Sequence, residues 1–129
     1  SENFSINELV DTTLSKNSQK TAEIINESNY KFEDGILILR TFLQKAKRLL
    51  NLYEKQDKGI SLDNLIDNYK PPIFWKDKPI VKKQLENWSK SRIEDLIINI
   101  NKTESFFKKN SSIGLMLVFN FIHEASDRS

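Results

Sequence analysis

The chain has 129 residues, the size of one ordinary domain, and 20 basic against 18 acidic side chains give a formal net charge of +2. Hydrophobic residues make up 38%, and glycine and proline number only 3 each, which excludes disorder and disfavours a many-stranded β fold. Cysteine is absent, which excludes disulfides, thiolate nucleophiles and cysteine zinc sites. We predict a single all-α domain over residues 1–129, with about six to seven helices and one long central helix.

The first half of the chain predicts a helical hairpin followed by a long helix. Ser5 with Glu8 predicts a capping box at the first helix start, and Ser18 is predicted to cap a second short helix. From about Asp34 to Lys55 the pattern predicts a rod of roughly 33 Å. Apolar residues fill about half its circumference, wider than the ~100° stripe of a surface helix, so it should pack on two sides.

A break in helical order is predicted near the middle of the chain. Gly59 is a natural helix stop, and Ser61 is predicted to cap a short helix after it. Pro71 and Pro72 then end helical order, because proline donates no backbone hydrogen bond and pushes the preceding residue into an extended conformation. Residues 73–75 are therefore predicted to form an ordered, extended linker.

Three further helices are predicted after this linker. Asp77 opens the first, and either Ser89 or Ser91 caps the second, which is longer. The last helix, Ile113 to Glu124, is apolar in nearly every direction and far shorter than the ~20 apolar residues of a membrane span. A helix that is apolar all round should be buried all round. The final helix could be buried either by contact with a partner or within the core of the domain, and the sequence does not decide between the two.

The chain lacks the residue patterns of common enzyme classes. Its glycines are too widely separated for a phosphate-binding loop, and His123 is the single histidine, so a histidine metal site or triad is not available. Carboxylate pairs such as Glu8 with Asp11 lie near predicted helix starts, where they complement the helix dipole. We therefore expect no catalytic residue, no metal site and no cofactor.

One carboxylate is predicted to be buried. Glu104 falls on the apolar stripe of its predicted helix, and a buried carboxylate needs a hydrogen-bond donor. Lys108 lies one turn on, and Arg40 and Lys47 lie at the margin of the apolar face of the long helix. These four residues predict a structural ion pair. The alternative is that the helix rolls enough to leave Glu104 at the edge, in water.

Basic side chains come in short groups, which suggest an alternative function. Lys45, Lys47, Lys82 and Lys83 on one face would bind a phosphate backbone, with the linker aromatics available for base stacking. Acidic residues are interleaved throughout, which favours an ordinary solvated face. A helical nucleic-acid-binding module therefore remains the second hypothesis.

Several segments follow one another in an order that is typical of one family. They are Phe4 with Glu8-Leu9-Val10-Asp11, Ile38-Leu39-Arg40-Thr41-Phe42, Lys47-Arg48-Leu49-Leu50, Lys70-Pro71-Pro72-Ile73-Phe74-Trp75-Lys76, Gln84-Leu85-Glu86-Asn87-Trp88-Ser89, and then Leu96, Glu104 and Lys108. Over nearly the whole chain they resemble the C-terminal part of the bacterial DNA polymerase III delta subunit. The very apolar final helix departs from this pattern.

The resemblance implies a non-catalytic collar domain of the clamp loader, the pentamer that places the sliding clamp on primed DNA within a holoenzyme that has DNA-directed DNA polymerase activity. Its partners would be the collar domains of the gamma/tau and delta-prime subunits. The delta subunit does not hydrolyse ATP. AAA+-like domains and the clamp-binding element would precede Ser1, so the sliding clamp is reached only through them and DNA contact is weak or indirect. A bacterial, cytoplasmic protein without membrane contact is implied.

A ring of subunits needs partly apolar contacts whose affinity is concentrated in a few anchors. The final helix, through Leu115, Phe119 and Ile122, is the first predicted interface. The linker residues Phe74 and Trp75 are the second.

Overall fold

The computed structural model describes residues 2–56 and 58–128. Ser1, before which the resemblance implies further domains, lies outside these residues. Within them the protein is all-α, and the predicted fold class with its long central helix is confirmed. The elements are α1 Glu2–Leu14, α2 Ser18–Glu27, α3 Phe32–Gln56, α4 Leu62–Asp67, a 3₁₀ turn Trp75–Asp77, α5 Lys78–Asn87, α6 Lys90–Lys109 and α7 Gly114–Ser126.

Helix α3 is the spine of the fold. It begins at Phe32, where the carboxylate of Asp34 accepts a hydrogen bond of 2.8 Å from the backbone amide of Lys31 and satisfies one free helix-end donor. It packs against α1, α4, α6 and α7, so the prediction that it packs on more than one side is confirmed. Its buried apolar side chains form the centre of the core: Ile38, Leu39, Phe42, Ala46, Leu49 and Leu52.

Two of the predicted helix starts are wrong. Helix α1 begins before Ser5, whose hydroxyl does not cap it and is instead 2.6 Å from the hydroxyl of Tyr30. Helix α2 is capped by Asn17, one residue before Ser18, because the Asn17 side chain accepts from the amide of Lys20 at 3.1 Å. Asparagine and serine are equally good caps, so sequence alone does not separate adjacent candidates.

Two later helix starts are as predicted. The hydroxyl of Ser61 accepts from the amide of Asn64 at 3.3 Å and caps α4. The hydroxyl of Ser89 accepts from the amide of Arg92 at 3.1 Å and caps α6, which decides between the two serines proposed there. Each such cap contributes about 1 kcal/mol to stability.

Helix α4 already ends at Asp67, and Pro71 and Pro72 lie in the non-helical linker that the sequence predicts there; the peptide bond before Pro71 is cis. It is extended only as far as Phe74. Trp75 begins a 3₁₀ turn, closed by a hydrogen bond of 2.8 Å from the amide of Asp77 to the carbonyl of Phe74. The prediction that Trp75 is extended is therefore wrong, because the turn that leads into α5 starts at that residue.

The final helix α7 contacts α1, α2, α3 and α6, and only one of its faces is buried, through Val118, Ile122 and Ala125. Met116 on another side is 62% exposed. Complete burial of α7 inside this domain is therefore excluded, whereas contact of its exposed side with a partner stays a prediction. The helices that pack on α7 cover part of its circumference, and the sides that they leave uncovered stay in contact with solvent.

Tyr53 fastens α5 to the spine. Its hydroxyl, which has one proton to donate, lies within hydrogen-bond reach of the carbonyl oxygens of Leu85 and Trp88 at the end of α5. The Leu85 carbonyl also accepts from the amide of Trp88 at 3.5 Å. Burial raises the pKa of Tyr53 above its usual value. This side chain therefore supplies a donor to backbone acceptors that are remote from it in sequence.

The Tyr53→Phe variant tests this link. We expect its free energy of unfolding to fall by about 1–3 kcal/mol, because half-buried carbonyl oxygens lose their donor. Urea denaturation measures the change. Tyr69→Phe is the matched control, since the Tyr69 ring lies 5.8 Å from the Lys55 ammonium and its hydroxyl makes no hydrogen bond with the described residues. Equal unfolding midpoints for the two variants would contradict the role of Tyr53.

Candidate protein-interaction surface

A groove of about 500 Å³ opens between α1, the linker and the start of α5. Its walls combine large apolar side chains with carboxylates, contributed by Phe4, Phe74, Ile80, Glu8, Asp11 and Asp77. The ring of Trp75 lies next to that of Phe74, with 5.9 Å between the two centroids. We call this feature the aromatic groove.

The apolar side chains of the aromatic groove are unusually exposed. Phe4 is 69% exposed, Phe74 56% and Trp75 68%. Contiguous exposed apolar side chains with polar residues around them mark interaction sites on soluble proteins. Ile73, directly before Phe74, is buried in the core and fixes the linker in place. The aromatic pair is therefore presented on an ordered segment, which lowers the entropy cost of binding.

The carboxylates of the aromatic groove differ in how they are compensated. Asp11 forms an ion pair of 2.8 Å with Lys45, and its backbone carbonyl accepts from the side-chain amide of Gln84 at 3.1 Å. Glu8 and Asp77 form no ion pair with the described residues. Asp77 precedes α5, yet its side chain makes no capping hydrogen bond. The groove therefore keeps two uncompensated carboxylates beside its aromatic rings.

The two predicted interfaces have different surroundings in the fold. Phe74 and Trp75 are exposed, so both remain available to a partner. Leu115 and Phe119 are half-buried, and the Phe119 ring lies 6.2 Å from the ring of Tyr30. Ile122 is fully buried in the core. Its assignment to an interface is wrong, because the face of α7 that carries it packs inside the domain.

The predicted ion pair at Glu104 forms in part. Its carboxylate lies 3.5 Å from Nε of Arg40 and 3.7 Å from Nζ of Lys108, and its side chain is 27% exposed. Glu104 thus has its partners and also lies at the margin of the core, where such a pair contributes about 0–1 kcal/mol. Lys47 takes no part, and this element of the prediction is wrong. It is two turns beyond Arg40 on α3, about 10 Å along the helix axis.

The lysines of the alternative nucleic-acid face are partly neutralised. Lys45 pairs with Asp11, and Lys82 Nζ lies 2.8 Å from a carboxylate oxygen of Asp63. The hydrogen bond to Asp63 raises the pKa of Lys82. Lys47 and Lys83 are exposed. Two of the four charges therefore hold carboxylates of other helices, which leaves a weaker positive surface than the sequence predicts.

Sequence reasoning missed Lys16, which ends α1. It takes the left-handed position of a Schellman motif, with φ of 60°, where glycine is the usual residue. The amide of Asn17 donates to the carbonyl of Thr12, and the amide of Lys16 donates to that of Thr13, both at 3.0 Å. No sequence pattern indicates this motif, because the residue type that normally marks it is absent.

The side chain of Lys16 joins three parts of the fold. Its ammonium donates to the carbonyl of Ala125 at 2.9 Å and lies 3.8 Å from the centroid of the Trp88 ring. Burial lowers the pKa of Lys16, and the charge of Arg92 lowers it further. The indole of Trp88 in turn donates to the carbonyl of Leu14 at 2.8 Å. Lysine and tryptophan together satisfy carbonyls at the ends of α7 and α1.

A second groove, of about 580 Å³, lies between α6 and α7. Phe106 is exposed beside it, and Leu117 and Phe121 are half-buried in its wall. Charged side chains of both signs, such as Lys102 and Asp95, line it as well. Its charge therefore favours no particular class of partner.

Within residues 2–56 and 58–128, no helix has the length and apolar character that crossing a membrane requires, and no group of three or more acidic or histidine side chains is placed to hold a metal ion. No protein-family model matches the chain, and no curated protein or solved structure matches it.

Proposed function

We propose that this protein is a non-catalytic assembly domain that binds a neighbouring subunit through the aromatic groove. The observation that carries the proposal is the exposed pair of Phe74 and Trp75 on an ordered linker. Interface energy is concentrated in a few aromatic and arginine anchors near the centre of a contact. Two large rings held side by side at the surface are suited to be such anchors.

The resemblance of the sequence to the DNA polymerase III delta subunit supports a specific form of this proposal. The chain is the collar domain that holds delta in the clamp-loader pentamer, and its partners are the gamma/tau and delta-prime subunits. One of the segments that carry the resemblance, residues 70–76, also presents Phe74 and Trp75. In this form the protein acts in the bacterial cytoplasm and contributes rigid contacts, whereas the clamp and primed DNA are contacted by other domains.

The nucleic-acid-binding alternative has less support. Its lysines are partly compensated by Asp11 and Asp63, and the aromatic groove carries uncompensated carboxylates that repel phosphate. Its signature is affinity for primed DNA that falls steeply with salt concentration. A flat titration at low salt would remove it.

Complex formation tests the proposed function. The protein is mixed with the gamma/tau and delta-prime subunits of the same organism, without nucleotide, and analysed by size-exclusion chromatography with light scattering. We expect co-elution as a complex of defined mass. Separate elution at micromolar concentrations would count against the proposal.

The paired variant Phe74→Ala with Trp75→Ala tests the surface. We expect its dissociation constant for the partner to rise by at least about 30-fold, as for the loss of an interface hot spot. Its thermal unfolding measured by circular dichroism should stay unchanged, since both rings are exposed. Phe106→Ala is the matched control, an exposed aromatic residue in the other groove, and it should bind normally. Loss of binding with Phe106→Ala alone would move the interface to α6 and α7.

A further inference from the structure

We infer that the aromatic groove receives an arginine side chain of the partner. The identity of that partner rests on the proposed function, whereas the chemistry of the groove does not. The inference joins two features that lie together on this surface: aromatic rings that line a concave site, and carboxylates that form no ion pair with any cation among residues 2–56 and 58–128.

The charge of the groove selects a cationic occupant. Glu8 and Asp77 are half-buried and form no ion pair with the part of the chain that the structure describes, whereas Asp11 already has Lys45. The groove thus carries a net charge of about −2 in a chain whose overall charge is +2. A purely apolar partner would remove Glu8 and Asp77 from water without giving either a donor, which is unfavourable. A cation that reaches both carboxylates removes this cost.

The shape and composition of the groove select arginine among cations. A guanidinium is planar, stacks on aromatic faces and donates hydrogen bonds to carboxylates in its own plane. Phe74 lines the groove together with Glu8 and Asp77, so an aromatic ring and two carboxylates border the same space. A lysine ammonium is more strongly hydrated and cannot pair in this bidentate way. Ile80 provides an apolar contact for the methylene stem.

Probes of matched shape test the occupant directly. N-acetyl-arginine amide, N-acetyl-lysine amide and N-acetyl-citrulline amide are titrated into the isotope-labelled protein, and nuclear magnetic resonance follows the Trp75 indole and the Phe74 and Ile80 side chains. We expect saturable shifts confined to the groove with the arginine amide. The citrulline amide, neutral and of the same shape, should bind about tenfold more weakly.

Two conservative variants test the carboxylates. Glu8→Gln and Asp77→Asn should each weaken the arginine amide about three- to tenfold and leave the citrulline amide unchanged. Glu23→Gln is the matched control, because Glu23 is exposed on α2 and outside the groove, and it should change neither affinity. All three variants are expected to melt as the parent protein does.

The outcomes separate this inference from the proposed function. Equal binding of arginine and citrulline amides, or unchanged arginine affinity in Glu8→Gln and Asp77→Asn, would overturn the arginine assignment. Co-elution with the clamp-loader subunits could persist in that case and would keep the proposed function. Specific arginine binding without any co-elution would support the groove chemistry and overturn the clamp-loader role.

Discussion

Replacement of Gly35 by alanine is expected to destabilise the protein by about 1–3 kcal/mol, although alanine is the better helix former by about 1 kcal/mol. A Cβ atom at position 35 would overlap the ring of Phe107, with Cζ only 2.7 Å away. The Phe107 ring is buried and closely packed. It stacks on Phe32 with 4.5 Å between centroids, and a Cβ at Gly114 would come within 2.8 Å of it.

A second substitution distinguishes steric overlap from other causes. Adding Phe107→Leu to Gly35→Ala should give less destabilisation than the sum of the two single changes, because the smaller side chain makes room for the methyl group. Gly59→Ala is the control. Gly59 has φ of +86° and nothing within 4 Å of a Cβ, so its cost of about 1–2 kcal/mol comes from the backbone. Phe107→Leu should not relieve it. A higher urea midpoint for Gly35→Ala would contradict the overlap.

Gly35 and Gly114 show which features of the fold cannot be predicted from the sequence. The positions of the helices follow from local patterns, such as the caps at Ser61 and Ser89 and the apolar stripe of α3, and these were predicted. The requirement for glycine at positions 35 and 114 comes from a ring on α6 that packs between α3 and α7. Which helices meet, and at what register, is a property of the whole fold.

The final helix shows the same limit in another way. Ile122 and Met116 are both apolar, and nothing in their own sequence says which one enters the core. Hydrophobic periodicity fixes a direction only when polar residues mark the opposite face, and α7 has apolar residues on every side. Its buried face is decided by the helices that pack against it, so the predicted interface at Ile122 was wrong.

The aromatic part of the candidate site could be predicted from the sequence, and its acidic part could not. Phe74 and Trp75 stood out because two prolines break the helical pattern before them and leave an ordered segment at the surface. Glu8 was predicted as a partner in a helix cap and as a carboxylate near a helix start, and not as part of a groove. Its place in the groove depends on the approach of α1 to the start of α5, and Phe4 and Phe74 likewise come to line the same groove only through that packing.

The two tryptophans have equal prominence in the sequence and opposite roles in the fold. Trp88 is almost completely buried, and its indole donates to Leu14 while Lys16 lies over its ring. Trp75 is two-thirds exposed, and it makes neither an indole hydrogen bond to the core nor a contact with a buried lysine. Stability should therefore depend on Trp88, and binding on Trp75.

Trp88→Ala is expected to lower the free energy of unfolding by about 3–5 kcal/mol, because it empties a large core site. It also leaves the carbonyl of Leu14 without a donor and removes the aromatic face beneath the buried ammonium of Lys16. Trp88→Phe keeps a ring and loses only the indole donor, so we expect a smaller cost of about 1–3 kcal/mol. Urea denaturation measures the free energy of unfolding of each variant, and Trp88→Ala should be the less stable of the two.

Trp75→Ala completes the comparison as a matched substitution at the surface. It should change the free energy of unfolding by less than about 0.5 kcal/mol, since it removes no buried contact. In the partner-binding measurement the order reverses: under conditions where both variants are folded, Trp75→Ala weakens the complex and Trp88→Ala does not. Equal losses of stability would show that Trp75 supports the fold, and its exposure would then no longer argue for a docking role.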